Sequence, residues 1–588
     1  MATLNPRAQA KQSKSADSTR NVAAKQWRFW LVIFMIVIVF MSLVARAAFI
    51  QVISPDDLIK QGDNRTIRVR DNPSYRGLIS DRHGQQLAVS VPSAAIWADP
   101  KHIHEQGAYN DTRRWKALAQ VLNRDEEDLL NRVRNPKRRF VYLQRQITPA
   151  MANYVEQLGI PGVYLRNESK RYYPSGEVSS HVIGFTNVDD DGQEGIEKLY
   201  NEWLTGTPDK RTIRRDAKGR QIEILEQKKG EKAKDLTLTI DQRIQALAYR
   251  EIKEATLFYQ ATSASVIIVD VHTGEVLALA NTPSFNPNDR STVSAHRMRN
   301  RAITDAFEPG SVLKPLAVLA ALEFGSINVE DSIDTSPGWM RLGGSRVEDP
   351  RNYGELSLAG VIQKSSNMGT SKLALSVKPG FFVDTYYNMG LMSDTGLNMI
   401  GESDGIFHER NRWSEHELSA LSFGYNISVT AAQLARMYST IANGGIKVPL
   451  SIIKTENFLE EPERVLSESN ARAVLEMMES VTLEGGSGMK AAVPGYRVAG
   501  KTGTSIKAVA GGYGEEYVNI FAGIAPVSDP KIAVVVLINE PGGDLYHAGD
   551  TAAPTFSAIV SDTLQMLNIA PDSQQIADAK TGVIYANR

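Results

Sequence analysis

No charged side chain occurs between Phe29 and Ala45, and this run constrains the rest of the chain more than any other feature. At about 1.5 Å per helical residue it spans about 25 Å, slightly short of a bilayer's hydrocarbon core. Ala47, Ala48, Phe49 and Ile50 extend it if Arg46 snorkels to the interface. Trp27 and Trp30 suit the headgroup zone. Before the run stand Arg7, Lys11, Lys14, Arg20, Lys25 and Arg28, against Asp17 alone, with no apolar period. This pattern predicts a disordered basic cytoplasmic tail over residues 1–28, a membrane anchor over 29–50, and everything later outside the cytoplasm. A cleavable signal peptide is the competing reading, since Ala45-Arg46-Ala47 fits an A-x-A site. Against it, the apolar run exceeds the usual length of about 7–15 residues and an arginine sits inside the site.

With 588 residues, the chain is too long for one core, and about two to four domains are expected. A net charge of −1 gives no global field toward nucleic acid, so no nucleic-acid partner is expected. The chain has no cysteine, which excludes a thiol nucleophile, a disulfide framework and a thiolate metal site. Nine scattered histidines form no H-E-x-x-H pattern, so neither a metal nor any other cofactor is expected.

Residues 51–234 are mixed and strand-rich, with one helical stretch from Asp111 to Val133 marked by Trp115, Leu118, Val121 and Leu122. Lys228 to Lys234 is a charged run expected to be a linker or loop. A second domain, 235–570, opens with a strand-like Leu236–Ile240, and Asp241 caps a helix from Gln242 to Ala255. Ser265–Val271 and Glu275–Ala280 read as one hairpin, Val518–Ile524 and Lys531–Ile538 as another. Helical patterns fill the middle (Leu313–Phe324, Val429–Asn443), and Thr551–Met566 closes the domain. Strands at both ends with helices between predict a mixed sheet covered on both faces. A polar tail, 571–588, follows.

Three short motifs carry the chemistry. In Pro309-Gly310-Ser311-Val312-Leu313-Lys314-Pro315, a turn leads into an apolar helix, so Ser311 lies at a helix start. Lys314, three residues on, shares its face. A serine hydroxyl needs a base, and a lysine serves when burial or another cation disfavours its charge. The helix start also offers N–H groups to an oxyanion. Ser365-Ser366-Asn367 supplies a hydroxyl that can relay a proton and an amide that can hold a carbonyl. Lys501-Thr502-Gly503-Thr504 follows a strand-like lead. Here Gly503 permits close approach of a substrate backbone, Thr502 and Thr504 offer hydroxyls to a carboxylate, and Lys501 adds charge. Each motif also recurs by chance, at Ser451–Lys454, at Ser284–Asn286 and Ser326–Asn328, and at Lys580–Gly582. Order and context separate the functional set from these copies: helix start, loop between helices, strand.

That ordered triple is shared by penicillin-binding proteins and class A β-lactamases. The chain resembles the class B high-molecular-weight penicillin-binding proteins, in particular the division-specific D,D-transpeptidases of Gram-negative bacteria. The resemblance extends to Arg76–Gly84, Leu87-Ala88, Arg171–Gly176, His181, Gly184-Phe185 and Gly195-Ile196-Glu197. It implies an α+β transpeptidase domain, a five-stranded antiparallel sheet with helices on both faces, behind an elongated mixed α/β pedestal and one transmembrane helix. It also implies that Ser311 is acylated, that Lys314 is its base, and that Ser365 and Asn367 assist proton transfer. Lys501, Thr502 and Thr504 would hold the substrate carboxylate, Gly503 would lie beside the substrate backbone, and the N–H groups of Ser311 and Thr504 would form the oxyanion hole. The implied partners are D-Ala-D-Ala stem peptides, β-lactams, a SEDS-type septal glycosyltransferase and other division membrane proteins. The implied location is the inner membrane, with the catalytic domain periplasmic. For most pedestal motifs, structural ion pairs and turns are the expected role. Tyr425-Asn426 stands where such enzymes often carry Tyr-Gly or Gln-Gly.

Five other readings compete. A serine β-lactamase needs a further base for deacylation, and no motif identifies one. A class A protein or a β-lactam sensor would carry a glycosyltransferase domain or several spans. An elongation-type transpeptidase differs only in overall resemblance. A non-enzymatic division scaffold would not require Ser311, Lys314 and Lys501.

Overall fold

The structure, a computed structural model, describes residues 20–573 apart from 54, 73–74, 208, 217–219, 290, 292–293, 456–460 and 510–511. Most of the basic tail, most of the C-terminal tail and the Lys580–Gly582 copy of the third motif lie outside the described residues. The chain forms two compact units, one from residues up to 73 together with 208–231, the other from 74–207 together with 232 onward.

In the first unit a helix of 29 residues, Arg20–Ala48, runs on through a π-helical turn, Phe49–Ile53. Phe29, Trp30, Phe34, Ile36, Phe40 and Leu43 are all exposed on it. Its span Gln26–Val52 is the one stretch among the described residues long and apolar enough to cross a membrane. Such a surface is unfavourable in water and at home in lipid. The same unit contains a three-stranded antiparallel sheet of Ile67–Asn72, Asp209–Arg215 and Gln221–Lys228.

Near the start of the second unit a long strand, Gln86–Ala98, is flanked by Val141–Ile147 and Val163–Tyr172. Ile96 and Leu143 from this sheet pack with Trp115, Leu118 and Leu129. The stretch expected as one helix over 111–133 is two, Thr112–Leu122 and Glu126–Val133. Asn123, at φ 50°, ends the first in a left-handed cap that asparagine tolerates. The apolar period continues across that break, which hides it from a periodicity argument. Nearby, Glu197 is fully buried between two guanidinium groups, with Arg76 Nε at 2.5 Å and Arg171 Nε at 2.7 Å. Three of the separate pedestal motifs, those of Arg76, Arg171 and Glu197, therefore meet in one ion-pair cluster.

The rest of this unit is an α+β domain. Its sheet comprises β1 (Ser263–Asp270), β2 (Val276–Thr282), β3 (Ala499–Val509), β4 (Gly512–Ala525) and β5 (Ile532–Asn539), in the order β2-β1-β5-β4-β3. Every pairing is antiparallel. Five helices matter for the site: α1 (Gln242–Phe258), α2 (Lys314–Phe324), α3 (Asn367–Ser376), α4 (Ala431–Ala442) and α5 (Ala552–Met566). Asp241 caps α1 by accepting the Arg243 N–H. The expected strand Leu236–Ile240 pairs regularly only over Leu236–Thr237, parallel to Ile79–Ser80.

Alternate residues of the sheet face opposite cores. Ile267, Val269 and Val535 join the layer containing α2 and α4, whereas Val266, Ile268 and Val534 join the layer with α1 and α5. Burial on both faces explains why β1 and β5 read as unbroken apolar runs rather than as alternation.

Candidate active site

Ser311 lies in a 3-10 turn, Gly310–Leu313, that feeds α2, whose first residue is Lys314. Pro315 is tolerated in that first turn because the early N–H groups have no helical acceptor. The turn is seated against β3. A Cβ on Gly503 would fall 2.7 Å from Pro309 O and 2.9 Å from Val312 Cγ1, and Ser505 Oγ donates to Glu308 O at 2.7 Å. From its place in a strand, Gly503 is expected to admit a substrate backbone. In the structure its missing side chain makes room for the turn that carries Ser311. On the other side, Gly310 N donates to Gly424 O at 3.1 Å, and a Cβ on Gly424 would fall 2.1 Å from Gly310 O. The neighbouring Asn426 has φ 65° and donates its N–H to Glu308 Oε1 at 3.0 Å. A left-handed residue is needed there, and asparagine is the non-glycine residue best suited to it, which accounts for Tyr-Asn in place of Tyr-Gly.

Lys314 is 1% exposed. Its Nζ donates to Ser365 O at 2.5 Å, Ser365 Oγ at 3.1 Å and Asn367 Oδ1 at 2.7 Å. Burial pushes its pKa down to about 7, with the Asp349 carboxylate pulling the other way. Lys501, on β3, is fully buried, and its Nζ donates to Thr502 O at 3.0 Å. Burial, reinforced by the positive charge of Lys314, holds its pKa well below the ordinary lysine value. The structure thus brings Lys314, Ser365 and Asn367 into direct contact, with Lys501 within electrostatic reach. The Ser311 hydroxyl itself has no hydrogen bond among the described residues.

Thr502 and Thr504 both have partnered hydroxyls. Thr502 Oγ1 lies 2.8 Å from Ser487 Oγ, and Thr504 Oγ1 accepts the Ala548 N–H at 3.0 Å. Neither Ser487 nor the Ala548 loop carries a motif, and sequence reasoning missed both. It also missed Asp349, which accepts hydrogen bonds from Ser366 Oγ and the Asn367 and Met368 N–H groups. The chance copies are engaged elsewhere. Ser451 Oγ donates to Ile453 O and Lys454 Nζ to Arg82 O, while Ser284 Oγ donates to Glu177 O.

Two family descriptions match the chain: the penicillin-binding protein transpeptidase domain over residues 264–561 and the penicillin-binding protein dimerisation domain over residues 71–238. The chain belongs to the class B penicillin-binding proteins, in which these two domains occur together. It is 48% identical over 580 residues to the peptidoglycan D,D-transpeptidase FtsI of Escherichia coli K12, covering 98% of each chain. Among solved structures it resembles a peptidoglycan synthetase from Bifidobacterium adolescentis, with a TM-score of 0.70 at 26% identity, covering 86% of this chain and 98% of that one. It also resembles the transpeptidase domain of penicillin-binding protein 3 from Burkholderia pseudomallei, with a TM-score of 0.52 at 39% identity, covering 57% of this chain and 98% of that one.

Proposed function

We propose that the protein is a division-type peptidoglycan D,D-transpeptidase with Ser311 as nucleophile. The observation that carries this reading is Lys314, a fully buried lysine held near pH 7 and clasped by Ser365 and Asn367. Near neutral pH a substantial fraction of its amine is unprotonated, as a base requires.

In the proposed reaction Ser311 Oγ attacks the penultimate D-alanine carbonyl of a stem peptide and its proton passes to Lys314 Nζ. The N–H groups of Ser311 and Thr504 receive the oxyanion, a role supported by the tight seating of the Ser311 turn on Gly503. The C–N bond to the terminal D-alanine breaks, and that leaving amine takes its proton through Ser365. Lys501, Thr502 and Thr504 hold the terminal carboxylate, and Asn367 holds the peptide. A neighbouring stem-peptide amine then attacks the ester, forms the cross-link and restores the Ser311 hydroxyl. A β-lactam enters the same path and stays as a slowly hydrolysed ester.

The basic residues before the apolar helix support a cytoplasmic N-terminus and a periplasmic catalytic domain. In this reading residues 29–50 anchor the protein in the inner membrane, 51–234 form the pedestal, 235–570 catalyse, and 571–588 are a tail. The membrane helix and pedestal meet a SEDS-type septal glycosyltransferase and other division proteins.

Mass spectrometry after incubation with a labelled penicillin tests the chemistry. A long-lived adduct on the Ser311 peptide, absent in Ser311→Ala, is expected. Rapid drug turnover would identify a β-lactamase, and no adduct with no turnover would leave a scaffold.

A further inference from the structure

One carboxylate organises the site without contacting the nucleophile. Asp349, 7% exposed, directly follows the strand Ser345–Glu348. Its Oδ1 accepts the Asn367 N–H at 2.5 Å and the Met368 N–H at 3.0 Å, and its Oδ2 accepts Ser366 Oγ at 2.5 Å. These donors sit at the start of α3, where N–H groups lack helical partners and a negative charge is favoured. Ser366 Oγ in turn accepts the Gly369 N–H at 2.8 Å. Asn367 Nδ2 donates to Glu348 O at 3.0 Å, so its Oδ1 is left to face Lys314. Ser365, one residue upstream, has φ 56°, a conformation that costs a non-glycine residue about 1 kcal/mol or more. It is held there from two sides, by Lys314 on its carbonyl and by the Asp349 clamp on the next three residues.

We propose that Asp349 is a positioning residue of the acylation reaction, fixing Ser365 and Asn367 against Lys314 and governing the pH at which Lys314 becomes a base. The inference rests on the proposed role of Lys314. Asp349 favours the Lys314 ammonium, and Lys501 on β3 is the second charge in reach. The other nearby charged groups are committed elsewhere. Lys364 donates to Gly485 O, Glu348 pairs with Arg346, and Glu308 accepts from Asn426.

The test is the second-order rate of acylation by a fluorescent penicillin between pH 5.5 and 9, with melting temperatures as a check of folding. The variants are Asp349→Asn, Asp349→Ala and, as the conservative replacement, Asp349→Glu. The unaltered protein should show a midpoint near pH 7. Asp349→Asn should move that midpoint down by about half a unit or more, because the ammonium loses a favourable charge. The plateau rate should fall at least about tenfold as the clasp loosens. Asp349→Glu should restore most of the midpoint. If Asp349→Ala does not fold, the nearly isosteric Asp349→Asn carries the test. A midpoint that stays in place in the folded variants overturns the proposal, whatever happens to the rate. If the unaltered protein forms no adduct, the reading of Ser311 fails first and this proposal falls with it.

Discussion

Gly503→Ala isolates the contact between the Ser311 turn and β3. The added methyl would lie 2.7 Å from Pro309 O and 2.9 Å from Val312 Cγ1. Carbon contacts are comfortable at about 3.5 Å, so turn and strand must separate by roughly 0.5–0.8 Å. Pro309 O is backbone, and no flexible side chain can yield in its place. Overpacking of this kind costs about 1–3 kcal/mol, equivalent to a melting temperature lower by roughly 1.5–4 °C for a domain of this size. The effect on rate should be larger in proportion. The displaced turn carries the proposed nucleophile, Ser311, and a misplacement approaching 1 Å can lower a rate about 100-fold. Gly523→Ala is the control, since its methyl would meet the Phe556 ring at 2.6 Å and the Phe521 ring at 2.9 Å, in the layer away from Ser311. Thermal melts and penicillin acylation rates of both variants decide the matter. Similar melting losses are expected, with a large rate loss only in Gly503→Ala. A native acylation rate in Gly503→Ala, or an equal rate loss in Gly523→Ala, would refute the reasoning.

Two further outcomes test other parts of the molecule. Glu197→Ala leaves two buried guanidinium groups without their carboxylate. It should destabilise the protein by about 3–5 kcal/mol in thermal or urea unfolding, while Ser311 in the surviving folded fraction still acylates. Asn426→Gly should melt at or above the native temperature, whereas Asn426→Ala should lose about 1 kcal/mol, because φ 65° suits glycine and penalises alanine.

The catalytic domain was legible from sequence wherever a local signal matched its period or cap. β1, β2, β5 and the second half of β4 are apolar runs ended by turn residues, and Asp241 marks the start of α1; the polar first half of β4, from Gly512, carries no such signal. The class of protein followed from three motifs in order, and the family matches agree with it. What stayed hidden depends on contacts between distant residues. Asp349 sits in Glu348-Asp349-Pro350, a tripeptide with no signature, and acquires meaning only when α3 packs against it. Ser487 lies in a Gly- and Ser-rich loop that reads as a connector until Thr502 is found beside it. Asn123 breaks a helix whose apolar period continues beyond it, so backbone geometry overrides the pattern. The meaning of Gly503 changed as well, since a glycine in a strand announces a close approach but not what approaches.

Among the described residues β3 is the last strand of its sheet and pairs only with β4. A terminal strand keeps one side of its peptide groups free of the ladder. A ligand meeting it there can be read through main-chain hydrogen bonds, whatever side chains it carries. Substitution replaces side chains and leaves peptide groups in place. If the proposed substrate pairs with β3, the most general part of its recognition is therefore also the one that point mutation can alter least without disturbing the sheet.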